Sequence, residues 1–150
     1  MTEYDDSQIA LAHFLDCDED SLDLLDYDYH GLDVYKYRLQ EYAIGTDSEC
    51  DSAALHYIEE SIWAFNAEFI CDQCDLPFEL AEAIQSFQES KCEDANDALL
   101  SLARRSPNGL KGFVQSAISA DGRGHILSRC DGEEFTVKTT SETYYIYRIN

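Results

Sequence analysis

At 150 residues, 45% hydrophobic and 12% aromatic, the chain is too rich in core-forming side chains to stay disordered, and it is long enough to build a core without disulfide staples. Ten basic against 31 acidic side chains leave a formal net charge of −21, which repels nucleic acid and anionic membrane, so a partner selected by charge is basic. The charge is uneven: residues 1–90 hold 23 acidic side chains against Lys36 and Arg38 alone, whereas residues 91–150 hold eight of each sign.

In chain order, Asp6 or Ser7 can cap a short helix through Leu15, with Ile9, Ala12 and Leu15 toward one side. The acidic stretch DCDEDSLDLLDYDYHGLD follows, Asp16 to Asp33, with eight carboxylates and no lysine or arginine. Its DYDYHGLD end reads as a loop running into a strand. LDVYKYR alternates, RLQE supplies a turn and YAIG returns, which predicts a β-hairpin over residues 32–45. TDSE at 46–49 is a capping box, and Cys50, Ala54, Tyr57, Ile58, Ile62 and Phe65 recur at three- and four-residue spacing behind it, the strongest helical stripe in the chain.

Asn66 offers a cap for a second helix through Cys74, and Pro77 stands where a helix begins, with Leu80, Ile84 and Phe87 on its face. Ala95, Leu99 and Leu102 mark a further helix that ends in Arg104 and Arg105, charges that suit a helix C-terminus. After the SPNG turn, Phe113, Val114, Ala117 and Ile118 give another, stopped at ADGRG. EEFTVK and TYYIYRI alternate around TTSE and predict a closing hairpin. Two hairpins flanking a run of helices predict one α+β domain over residues 1–150: an antiparallel sheet of about four strands with about five helices packed on it.

No basic region followed by an apolar run and a cleavage site opens the chain, and no 18-residue apolar segment occurs, which predicts a soluble, cytoplasmic protein. Without a secretory signal the six cysteines, Cys17, Cys50, Cys71, Cys74, Cys92 and Cys130, read as thiols rather than a disulfide framework.

Three constellations carry possible chemistry. Counted from Asp16, a calcium loop has Asp18 and Asp20 in place, but its sixth position is Ser21 and its twelfth Tyr27, where a glycine and a bidentate glutamate are needed. Cys71 and Cys74 form one C-x-x-C without a second pair, and helical spacing explains them as packed thiols. No metal and no cofactor is therefore expected. In ADGRGH, residues 120–125, Arg123 could clamp an anion and His125 could move a proton, yet no paired nucleophile or second acid announces itself. A helix-ending turn with Arg123 tied to a carboxylate is the plainer reading.

The strings TDSECDSAALHYIEESIWAFNAEFI, KCEDANDAL, AISADGRGHILSRCDGEEF and YYIYRIN together resemble a family of small acidic proteins encoded by phages and mobile elements. The resemblance spans roughly residues 33–150 and implies a bacterial host cytoplasm as the setting. The family has no assigned activity, and the first 32 residues, with the densest acid, lie outside the resemblance.

Carboxylates two apart on a strand lie about 6–7 Å from each other, and those three or four apart on a helix about 5–6 Å, spacings that suit a copy of a phosphate ladder. Asp16, Asp18, Asp20, Asp26 and Asp28 offer the first spacing. Asp16/Asp20, Asp47/Asp51, Asp72/Asp75 and Glu79/Glu82 offer the second. The expected function is a non-enzymatic inhibitor that imitates nucleic acid and occupies the basic channel of a host DNA- or RNA-binding defence protein, of the anti-restriction or anti-CRISPR type. Its contact residues would be Asp16, Asp18, Glu19, Asp20, Asp23, Asp26, Asp28 and Asp33, with Tyr27 and Tyr29 supplying aromatic area. The alternatives are an acidic adaptor docking a basic protein surface, and a small enzyme using Arg123 and His125.

Overall fold

Both hairpins are present and a fifth strand joins them. The computed structural model describes residues 3–150 as an α+β chain, divided into two compact units. The first is built from the chain up to Ala54 and from Asp121 onward, the second from Leu55–Ala120.

The first unit is a five-stranded antiparallel sheet in the order β1-β2-β3-β5-β4, with β1 at Asp23–Tyr29, β2 at Leu32–Tyr37, β3 at Gln40–Gly45, β4 at Phe135–Lys138 and β5 at Thr143–Arg148. The turn between β2 and β3 is only Arg38 and Leu39, because Tyr37 pairs with Gln40. Arg38 adopts the left-handed conformation that so short a connection demands. Helix α1, Asp6–Leu15, covers one sheet face. Leu11 and Ala12 pack there with Tyr35, Ile44, Val137 and Ile146, all buried. Alternation sends Leu32 and Val34 to the opposite face, also fully enclosed. Ile9, expected inward, is 40% exposed, since Ala10 and Leu11 face the sheet instead.

Strand β1 was not expected. Aspartate is a poor strand former, so DLLDYDY reads locally as a loop. The segment nonetheless pairs with β2 along the sheet's edge, where one flank meets water and tolerates charge. Its pairing is interrupted: Leu24 faces Tyr35 and Asp28 faces Asp33, so three residues of β1 oppose Val34 alone, a bulge.

The capping box at the head of α2, Asp47–Ser61, forms as read. The Thr46 amide donates to Glu49 Oε1 at 2.8 Å, and the Glu49 amide to Thr46 Oγ1 at 3.4 Å. Between Asp121 and β4 lies a further unexpected element, α7, Arg123–Leu127. ADGRG therefore does more than end a helix: Gly122, at φ 87°, breaks α6 and starts α7.

The second unit is helical, with α3 at Ala67–Gln73, α4 at Ala81–Lys91, α5 at Asn96–Arg105 and α6 at Gly109–Asp121. Helices α3 to α6 gather in this unit. Asn66 caps α3 as expected, accepting from the Phe69 amide at 3.1 Å. Asn96 fastens the tight turn Ile62–Ala64: its Oδ1 accepts from the Trp63 amide at 3.1 Å and its Nδ2 donates to the Glu59 carbonyl at 2.7 Å. Phe65, Phe69 and Phe113 meet as an aromatic cluster with centroids 5.2–6.2 Å apart. Among the described residues no helix is long and apolar enough to cross a membrane.

All six cysteines are unpaired thiols. Cys50, Cys71 and Cys74 are buried, so the C-x-x-C pair belongs to the packing of α3, while Cys92 and Cys130 are exposed.

Candidate acidic binding surface

The carboxylates of residues 16–33 separate into two groups, set apart by α1, whose ten residues span about 15 Å. The first group sits at the C-terminal end of α1. Asp16 ends the helix in a left-handed conformation at φ 53°, and Asp18, Glu19 and Asp20 follow in a tight 3-10 turn over Glu19–Ser21. Asp16, Asp18 and Asp20 are exposed and Glu19 half-buried. The field is felt by its neighbours. Tyr4 donates to the Asp20 carboxylate, and that bond, with Glu19 and Asp18 nearby, pushes its hydroxyl up to about 12. Partial burial first, then Asp18, Glu19 and Asp16, raise the Cys17 thiol.

The second group gathers where β1 meets β2. Asp28 and Asp33 are directly opposed across the two strands, an arrangement that destabilises a sheet by like-charge repulsion. Asp33, Asp5, Asp6 and Glu49 line a pocket of about 290 Å³, together with Ser7, Thr46 and Tyr144. The pocket walls partly screen the Asp33 carboxyl from water, and Glu49, Asp5 and Asp28 add repulsion, so its pKa is raised. Burial and a hydrogen bond to Asp6 push the Tyr144 hydroxyl up to about 12. Thr139 Oγ1 donates to Asp6 Oδ2 at 2.7 Å and fixes that carboxylate. Among the described residues, no lysine or arginine is ion-paired with any carboxylate of either group. Such a lining is complementary to a cationic group, to which it offers charge-assisted hydrogen bonds.

Between the groups runs the edge strand itself. Asp23, Asp26 and Asp28 are exposed, with Leu24 at 56% and Tyr27 at 48%. Asp23 stands opposite Lys36. The Tyr27 hydroxyl donates to Glu41, which the Asn150 amide also serves at 2.6 Å. That leaves the Tyr27 ring, and not its hydroxyl, for contact. Tyr29 is a correction: it is 6% exposed and its hydroxyl donates to the Leu127 carbonyl at 2.9 Å. Beyond the bulge, alternation turns Tyr29 into the sheet's covered face, so it carries packing and supplies no contact area.

The spacings expected of a phosphate ladder are met unevenly. Asp16 to Asp20 follow a cap and a tight turn, neither strand nor α-helix. Asp26 lies inside the bulge. Asp47 and Asp51 are one helical turn apart, but both carboxylates are taken by Arg123, whose Nη1 lies 2.9 Å from an oxygen of each. Asp75 is past the end of α3, and Glu79 precedes α4 in a short 3-10 turn.

Arg123 is the centre of an internal tie. Its side chain is 7% exposed. Nε donates to Glu134 Oε2 at 2.7 Å, Nη1 also reaches the Asp47 carbonyl at 3.0 Å, and the guanidinium lies 4.6 Å from the Tyr145 ring centroid. Burial opposes its charge, but the Glu134 hydrogen bond and the surrounding anions outweigh that and hold its pKa above the usual range. The Tyr147 hydroxyl also donates to Glu134, and its own pKa is raised by burial and by neighbouring Cys50 and Glu134. Gly124 makes the approach possible, since a Cβ there would stand 2.6 Å from the Glu133 carbonyl carbon and the Glu134 nitrogen. His125, two residues on, is exposed. Arg123 and His125 therefore face different surroundings and are not brought together.

Sequence reasoning missed Asp5, Asp6 and Glu49 as members of the acidic pocket. The signal was available, because a residue that starts a helix and a glutamate in a capping box have fixed directions. What could not be read was that the two helix starts flank Asp33. No family model matches the chain, and no curated protein or solved structure matches it either.

Proposed function

We propose that the chain is a non-enzymatic binding protein that imitates nucleic acid and blocks a basic, DNA- or RNA-binding host defence protein. The observation that supports this most directly is the pocket formed by Asp5, Asp6, Asp33 and Glu49 beside Asp28, where like charges are gathered and, among the described residues, left without lysine or arginine partners. Self-repulsion of this kind costs stability, so its concentration is accounted for by a cation supplied from outside. The carboxylates of Asp16, Asp18 and Asp20 form a second point of attraction, and Asp23, Asp26 and the Tyr27 ring on the edge strand lie along the sequence between. Two anionic points joined by an acidic edge suit a channel lined by spaced lysines and arginines. Competition is then direct: a channel filled by carboxylates does not load DNA or RNA.

The test is affinity capture from the bacterial host at low salt, using the wild type and a variant with Asp16, Asp18, Asp20, Asp26, Asp28 and Asp33 changed to asparagine. A nucleic-acid-binding protein that elutes at moderate salt, is displaced by DNA or RNA, and is not retained by the variant supports the proposal. Retention by the variant, or indifference to both salt and nucleic acid, refutes it.

A further inference from the structure

The second unit carries a groove of about 730 Å³ that contains none of the first unit's carboxylates. Trp63, Phe65 and Phe78 give it an aromatic lining. Phe78 is 67% exposed, held out on the 3-10 turn that follows Pro77. Glu68, Glu79, Glu82 and Glu89 also line it, and among the described residues no lysine or arginine does. The wall is braced, since Gln88 Nε2 donates to the carbonyls of Trp63 at 2.9 Å and Phe65 at 2.6 Å. Aromatic rings that share a groove with four carboxylates unpaired by lysine or arginine among the described residues are complementary to one kind of chain: a bulky apolar side chain flanked by lysines or arginines.

We infer that this groove is a docking site for a basic protein segment with an apolar anchor, the anchor seated on Trp63 and Phe78 and the flanking cations on Glu79, Glu82 and Glu89. The site stands independently of the nucleic-acid mimicry proposed for the first unit. Charge alone would attract oligolysine to many places on this chain, whereas the groove demands an apolar residue between the cations. The braced backbone means that little ordering is needed on binding.

Trp63 is the sole tryptophan, so its emission reports this groove. The probe is a capped Lys-Lys-Leu-Phe-Lys-Lys peptide, and the control is the same peptide with serine in place of leucine and phenylalanine. The expected result is a saturable blue shift of Trp63 emission with the first peptide and no shift with the second. Phe78→Ala should weaken the first peptide by about tenfold, and Glu79→Gln/Glu82→Gln/Glu89→Gln should weaken it and flatten its salt dependence. Both sets of positions are exposed, so folding is preserved. Asp28→Asn/Asp33→Asn should leave the affinity unchanged, which separates this site from the acidic surface of the first unit. The inference is overturned by an absent Trp63 shift, by equal affinity of Phe78→Ala, or by loss of binding in the Asp28→Asn/Asp33→Asn variant.

Discussion

Arg123→Ala is expected to cost about 3 kcal/mol of stability, and the figure follows from how unequally its partners are shielded. The side chains of Asp47 and Asp51 are 71% and 40% exposed, so water screens both contacts and each contributes about 0–1 kcal/mol. Glu134 is 26% exposed. Removing one member of a buried pair costs about 3–5 kcal/mol, and partial access of water to Glu134 reduces that by roughly half. Stacking on Tyr145 adds about 0.5–1 kcal/mol. For a chain of this length the total corresponds to a fall in Tm of about 6–12 °C. Urea and thermal unfolding followed by circular dichroism measure it. Arg123→Lys should fall between, because an ammonium keeps the charge but lacks the fork that reaches Glu134 and the two aspartates together. His125→Ala, at an exposed position, should change stability by no more than about 0.5 kcal/mol. A loss below about 1 kcal/mol for Arg123→Ala, or equal losses at Arg123 and His125, would refute the assignment of Arg123 as an internal tie.

The acidic pocket predicts a pH response of definite sign. Because the pKa of Asp33 is raised in the fold, the native state binds its proton more tightly than the unfolded chain does, and stability is lost as pH rises through the folded pKa. Asp33→Asn should therefore stabilise the protein by about 0.2–1 kcal/mol near neutral pH and remove that part of the pH dependence; an unchanged profile in a pH series of urea unfolding refutes it. Sodium chloride should raise Tm between about 0.01 and 0.15 M, where the Debye length shortens from about 30 to 8 Å, and a flat or falling Tm would show that self-repulsion is not a net cost. With a thiol-specific chromogenic disulfide, exposed Cys92 and Cys130 should react in the native state, while buried Cys71, Cys74 and Cys50, its thiol pushed up to about 11 by burial, should react only on unfolding. Rapid reaction of Cys50 would contradict its packing.

How far the fold was legible depended on how local its causes were. The capping box at Thr46, the Asn66 cap and the alternation of LDVYKY and TYYIYR are local signals, and each element formed where they stood. Strand β1 failed that test because its reason to be a strand is β2, which offers an unpaired edge, and not its own residues. Helix α7 was missed for a similar reason: five residues around two glycines are a poor helix alone, and it is the grip of Arg123 on Glu134 and Asp47 that fixes them. At the candidate site, composition located the acid but not its grouping. Asp33 reads as a member of one run with Asp28, yet it lines a pocket with Asp5, Asp6 and Glu49, brought there by two helix starts distant in sequence.

The edge strand offers a competing explanation for part of the charge. An unpaired strand edge invites pairing with another chain, and charged side chains and bulges are the usual protection. Asp23, Asp26 and Asp28 on a bulged β1 meet that need, so their presence alone says little about a partner. Edge protection does not extend to Asp33, which lies on β2, inside the sheet, nor to Asp5, Asp6 and Glu49, which lie on or beside helix starts. Asparagine at Asp5, Asp6 or Asp33, or glutamine at Glu49, would keep the hydrogen bonding and repel less. The distinction gives the charges different expected behaviour. Neutralising Asp26 should promote self-association through the edge, measurable by sedimentation, and weaken capture of a basic partner less than neutralising Asp33 and Glu49 does. Neutralising Asp33 and Glu49 should abolish capture and leave the oligomeric state unchanged. If neither change affects capture, the acid serves the fold alone.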